Sequence, residues 1–189
     1  MRPQIAVIGD RNLPPRDPKR RLARELGEAL VDAGYRVVTG GIGDLPRQLS
    51  IGARRSRRYS EGAIVAILPG FDPGTGRTTG DIVIATGLDH GRNLLVANSD
   101  AVVALGGGAG TLSEMAFAWM LHRLVLAYQV PGWSGQLAGK RLDERVRYKM
   151  ISADRVYEVR SASEVVDKLR ALLPLYSRRH RGIPPDGGW

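Results

Sequence analysis

Cysteine is absent from the 189 residues, phenylalanine occurs twice, and aromatic residues make up 6% of the chain. Without thiols the protein forms neither disulfides nor thiolate metal sites. No stretch longer than about ten residues is continuously apolar, so neither a membrane span nor a secretory signal fits, and a cytoplasmic protein is expected. Acidic residues are also scarce, 19 against 28 Lys and Arg, for a net charge of +9. Such a surface attracts anions, nucleotides among them. His90, His122 and His180 stand apart, with no partner at a ligand spacing such as i+4, so no metal site is expected. The basic clusters at Arg16–Arg24, Arg54–Arg58 and Arg178–Arg181 have only Tyr59 and Tyr176 nearby for base stacking. They read as solvated faces rather than a nucleic-acid interface.

At 43% hydrophobic and 25% charged, the chain can bury the core of one domain. QIAVIG (4–9) reads as a strand. Asp17 and Pro18 then supply an N-cap and a first helical residue. The helix that follows carries Leu22, Leu26, Ala29, Leu30 and Ala33 on one face and closes at Gly34. YRVVT (35–39) is the next strand, followed by a helix from Asp44 to about Arg58, strand AIVAIL (63–68), a loop from Pro69 to Gly80 and strand IVIAT (82–86). A helical stretch around Arg92–Asn98 leads to AVVAL (101–105), a helix from Thr111 to about His122 and strand LVLAYQV (124–130). After VYEV (156–159), Ser161 and Glu164 form a capping box for a last helix, and the chain past Pro174 is expected to fray. Strands alternating with crossover helices imply a Rossmann-like α/β fold, a doubly wound parallel sheet with helices on both faces and ligands at the carboxyl ends of its strands. Residues 1–175 are expected to form this single domain and 176–189 a basic C-terminal tail.

Four of the five positions 106–110 are glycine, between strand AVVAL and a helix. In this fold such a turn faces the binding crevice, and bare amides at a helix N-terminus cradle phosphate. Gly106, Gly107, Gly108, Ala109, Gly110 and Thr111 are therefore candidate phosphate- or nucleotide-binding residues, with the Thr111 hydroxyl as a further donor. Gly40, Gly41 and Gly43 form a second candidate turn after an earlier strand. A tight turn with a purely conformational purpose is the competing explanation. No Lys follows Gly110 as a P-loop requires, and Thr111 occupies the last glycine position of GxGxxG counted from Gly106. Glu114, three residues past Thr111, shares its helix face. It is placed either to act on a sugar or simply to favour the helix macrodipole from the first turn.

These residues resemble a known family. GGGAGTLSE is similar to the PGGxGTxxE signature of the Lonely guy (LOG) phosphoribohydrolases, long misnamed lysine decarboxylases. VTGGIG, IVAILPG, IVIATGLDHGRN and SDAVVALGGGAGTLSE follow in the family's order across most of the chain. The details look most like the branch containing the molybdenum cofactor carrier protein. The resemblance implies hydrolysis of the N-glycosidic bond of nucleoside 5′-monophosphates, releasing base and ribose 5-phosphate, with Glu114 and Arg92 as the catalytic pair. Phosphate would rest on the 106–111 amides, Glu114 would stabilise an oxocarbenium-like ribose or activate water, and Arg92 would orient the nucleotide. Gly106 stands where the enzymes have Pro, Asn93 stands where Lys commonly follows the Arg, and Arg92 lies 22 positions before Glu114, one fewer than in the family pattern.

The main expectation is a nucleoside 5′-monophosphate phosphoribohydrolase, and the alternative is a non-catalytic carrier of the molybdenum cofactor, a phosphorylated pterin, or a nucleotide-binding sensor. Neither requires a resident cofactor. The expected partner is a small phosphorylated ligand, whether nucleotide, phosphate or molybdenum cofactor. Lysine decarboxylation is rejected, because Lys19, Lys140, Lys149 and Lys168 all lie outside the glycine turns where a Schiff-base lysine would be needed. Met115, Phe117, Trp119, Met120 and Leu121 surround the motif helix with apolar side chains. A second subunit is a natural cover for the face the sheet leaves open, and the resemblance implies a homodimer or higher homo-oligomer.

Overall fold

The structure, a computed structural model, describes residues 2–180 and 182. Met1, Arg181 and residues 183–189 lie outside the described residues, and with them much of the expected basic tail. Seven strands form one sheet: β1 (Gln4–Gly9), β2 (Arg36–Thr39), β3 (Ile64–Leu68), β4 (Ile82–Ala85), β5 (Ala101–Leu105), β6 (Leu124–Tyr128) and β7 (Tyr157–Val159). Their order is β4-β3-β2-β1-β5-β6-β7, with every neighbouring pair parallel. The chain builds outward from β1 to β4, then returns to lay β5 on the other side of β1, with Gly9 opposite Leu105. That reversal opens a crevice at the carboxyl ends of β1 and β5, where open α/β sheets bind ligands. The architecture is the Rossmann-like α/β fold that the alternation predicts.

Side-chain alternation along the central strands splits the core into two layers. Ile5, Val7, Val103 and Leu126 face one layer, under α1 (Lys19–Asp32), α2 (Asp44–Ala53) and α6 (Ala162–Leu172). Ala6, Ile8, Val102, Ala104 and Val125 face the other, under α3 (Asn93–Ala97) and α4 (Ala109–Met120). Each fully buried aliphatic side chain stabilises the fold by roughly 1.5–3 kcal/mol, so β5 and β6, buried along their whole length, anchor the sheet.

Several boundaries depart from the sequence pattern, each for a packing reason. A methyl group on Gly27 would collide with the Leu49 carbonyl oxygen, and one on Gly52 with that of Arg24, so α1 and α2 meet backbone to backbone. This contact centres the buried face of α1 on Ala23, Leu26, Gly27, Leu30 and Val31, with Leu22 and Ala33 packed half-buried at its margin. The second helix stops at Ala53, and beyond it Ser56 hydrogen-bonds Asp32 of α1 at 2.6 Å. A five-residue helix that the spacing did not announce, α5 (Trp133–Leu137), follows β6. Residues 139–156 then pack without helix or strand around Arg147, which pairs with Asp154 at 2.6 Å and stacks 3.5 Å over Trp119. The expected fraying does not begin at Pro174: Leu173–Tyr176 form a 3-10 turn, and Tyr176 is buried and donates to Asp154 Oδ1 at 2.6 Å.

On α4, Thr111, Glu114, Met115, Ala118 and Trp119 are buried, whereas Met120, with Leu94 and Leu95 of α3, is exposed. No helix among the described residues is long and apolar enough to cross a membrane.

Candidate functional site

Beyond β5 the main chain turns through Gly106 at φ +73° and Gly107 at φ +93°, conformations that L side chains rarely adopt, and enters α4 at Ala109. The first half of the turn is held from behind by the start of α5. Gly106 N–H donates to Ser134 Oγ at 2.8 Å, Ser134 N–H returns a bond to Gly106 O at 3.1 Å, and Trp133 N–H donates to Gly107 O at 2.9 Å. Gly108, Gly110 and Thr111 instead line a cleft of about 360 Å³. Leu112 is the first helical N–H to be satisfied, by Gly108 O at 3.0 Å. The amides of Ala109, Gly110 and Thr111 are thus the orphan donors of the helix N-terminus, at the edge of that cleft. Of the six positions that the sequence singles out here, 106 and 107 are bonded into the scaffold, Gly108, Gly110 and Thr111 line the cleft, and Ala109 lies exposed between them.

The second glycine turn divides in the same way. Gly40 and Ile42 line the cleft. Gly41 faces away, its N–H on Thr39 Oγ1 at 3.1 Å and its carbonyl accepting from Thr79 Oγ1 at 2.7 Å. Gly43 lies under the Arg11 backbone, whose carbonyl accepts the Asp44 N–H at 2.7 Å and so occupies the start of α2. The same contact sets Arg11 on the cleft wall, two residues past the end of β1, with its side chain in no hydrogen bond or ion pair to a described residue. Arg11 escaped sequence reasoning. The available signal was its place in the loop after the first strand, on the crevice side of the sheet.

Glu114 and Arg92 meet in the cleft. Arg92, at the end of a short 3-10 turn (Asp89–Arg92), donates from Nη1 to Glu114 Oε1 at 3.0 Å. Glu114 is 6% exposed, and burial pushes its carboxyl up to about 7 against the opposing pull of Arg92. Because α4 begins two residues earlier than its sequence suggests, Glu114 falls in the second turn, where the macrodipole no longer accounts for it. Arg92 Nε is buried with no partner among the described residues. Asn93 does not enter this pair: its Nδ2 donates to Ser113 Oγ at 2.8 Å, and Ser113 Oγ donates to Gly110 O at 2.7 Å, tying α3 to the first turn of α4. Asp89 and His90 complete the mouth of the cleft.

Residues 2–165 match the model of the SLOG cluster4 family. The chain belongs to that family. An uncharacterized protein of Archaeoglobus fulgidus is 33% identical to this SLOG cluster4 protein over 129 residues, 68% of this chain and 81% of that one. The molybdenum cofactor binding protein from Rippkaea orientalis superposes with a TM-score of 0.73 at 26% identity, covering 92% of this chain and 98% of that one. The Moco carrier protein of Chlamydomonas reinhardtii gives 0.72 at 25% identity, covering 93% and 99%. These similarities agree with the resemblance to the LOG family and to its molybdenum cofactor carrier-like branch.

Proposed function

We propose that this SLOG cluster4 protein is a carrier that holds a phosphorylated pterin, the molybdenum cofactor, as cargo in the cleft between β1 and β5. The reading rests on the turn at 106–111: the three orphan amides of Ala109, Gly110 and Thr111 offer an anion site beside space for a ring system. Arg11 adds an uncommitted positive charge on the same cleft. The similarity to proteins named for binding and carrying the molybdenum cofactor supports the identity of the cargo. So does Gly106, whose φ of +73° no proline can adopt, so the turn departs from the prolyl turn of the LOG hydrolases.

Hydrolysis of nucleoside 5′-monophosphates is the second reading, and one observation favours it: Glu114, buried against Arg92 and titrating near neutrality, has the make-up of a general acid or base. Free base is measured chromatographically after incubation with AMP, GMP, CMP, UMP and a cytokinin riboside monophosphate, beside equilibrium binding of a phosphorylated pterin. Tight pterin binding without base release is the expected result. Base release that disappears in Glu114→Gln would replace the carrier with the hydrolase.

A second copy of the chain is proposed to cover the exposed Leu94, Leu95 and Met120, giving a homodimer or larger assembly.

A further inference from the structure

Two carboxylates line the cleft, and they are held very differently. Glu114 is buried and engaged by Arg92 at 3.0 Å. Asp89 lies exposed at the mouth, with its carboxylate in no hydrogen bond or ion pair to a described residue. Its position is nevertheless fixed. Thr86, Gly87 and Asp89 N–H donate in turn to Leu68 O at 3.2 Å, Gly70 O at 3.0 Å and Pro69 O at 3.0 Å, zipping this segment to the end of β3. Asp89 also holds φ +49°, a region that Asp and Asn enter more readily than other residues with side chains, though still at a cost. The main chain therefore presents, at the mouth of a cleft in a protein of net charge +9, the one carboxylate of the cleft lining that no described residue engages.

We propose that Asp89 recognises the 2-amino-4-oxopyrimidine edge common to guanine and pterins, accepting one hydrogen bond from the ring N–H and one from the exocyclic amine. The proposal rests on the phosphate-binding reading of the same cleft and adds which heterocycles it accepts. An ionised carboxylate only accepts hydrogen bonds. Two parallel N–H donors match its two oxygens, as a guanidinium does. Adenine places a ring lone pair beside its amine, and lumazine replaces the amine by a carbonyl oxygen. Either one keeps a single donor, sets an acceptor against the other carboxylate oxygen and leaves that oxygen unpaired.

The test is equilibrium binding to the full chain of two ligand pairs, GMP against AMP and 6-hydroxymethylpterin monophosphate against its lumazine counterpart, with ribose 5-phosphate as reference. Each is measured for the native protein and Asp89→Asn. Asn accepts the same left-handed backbone, so the thermal midpoint should stay in place. The expected result is a preference of about tenfold or more for the amino-oxo member of whichever pair binds, since a charge-assisted bond carries that much. In Asp89→Asn the preference disappears while ribose 5-phosphate binds as before. Equal affinity within the pair that binds, or a preference that survives Asp89→Asn, overturns the proposal and leaves the phosphate site standing. Failure of every phosphorylated probe to bind overturns both.

Discussion

Gly40 lies against the guanidinium group of Arg92: a methyl group in its place would stand 2.5 Å from Nη1 and 2.6 Å from Nη2. The bareness of the second glycine turn makes room for a side chain that arrives from the far end of β4, and that side chain in turn holds Glu114. Gly40 has an ordinary backbone conformation, so alanine is tolerated there except for the contact with Arg92. Gly40→Ala is expected to fold, to push Arg92 off Glu114 and to weaken binding of a phosphorylated ligand about tenfold. Because Arg92 lowers the Glu114 carboxyl, losing it should raise that carboxyl further, which NMR titration of the Glu114 side chain reads directly. An unmoved titration would mean that Arg92 keeps its place.

Glu114 also predicts an unusual pH dependence of stability. Burial raises its carboxyl from 4.5 to about 7, so between these values the native state holds a proton that the unfolded chain has released. Its contribution is then fully present below about pH 4.5, is lost as pH rises towards 7, and is flat above, with a span on the order of 3 kcal/mol. Urea midpoints at pH 5 and pH 7.5 should therefore differ more in the native protein than in Glu114→Gln. Equal differences in the two proteins would show that Glu114 ionises as an ordinary carboxylate.

Ala109 offers a way to delete one anion donor without disturbing the helix. It is the first residue of α4 and follows Gly108, whose extended backbone at φ −100° and ψ −151° suits the residue before a proline. Ala109→Pro should leave the thermal midpoint nearly unchanged and lower affinity for ribose 5-phosphate about tenfold, the loss of one hydrogen bond to a charged group. Undiminished affinity would place the phosphate elsewhere.

Leu94 and Leu95 supply the test of assembly. Light scattering behind size exclusion should report a dimer or larger species for the native chain, and Leu95→Glu should run as a folded 20.5 kDa monomer. A native protein that is already monomeric would rule out the covering copy.

Strands β1, β2, β3, β5 and β6 were legible because each is a run of apolar residues buried on both faces, and the edge strand β4, with Ile82 and Ile84 exposed, was legible from its β-branched run alone. Residues 139–156 were not, because their fold depends on the buried Arg147–Asp154 pair and the Trp119 ring beneath it, partners that no local period reveals. The site shows the same division. Motif position singled out Glu114 and Arg92, and the two side chains touch. It gave no sign that Gly106 and Gly107 are spoken for by α5, nor that Arg11 and Asp89 share the cleft, since each of these comes from a loop placed by distant hydrogen bonds.

The clamp of Ser134 on Gly106 spans 28 residues of chain, from the end of β5 across α4 and β6. During synthesis, β1 and β5 can pair well before Ser134 leaves the ribosome, so the sheet's centre precedes its anion turn. A nascent or truncated chain ending before residue 132 carries every glycine of that turn and still lacks the brace that shapes it. If that turn holds the proposed ligand, the chain becomes competent to bind it only after Ser134 has emerged, later than the strands that flank the cleft.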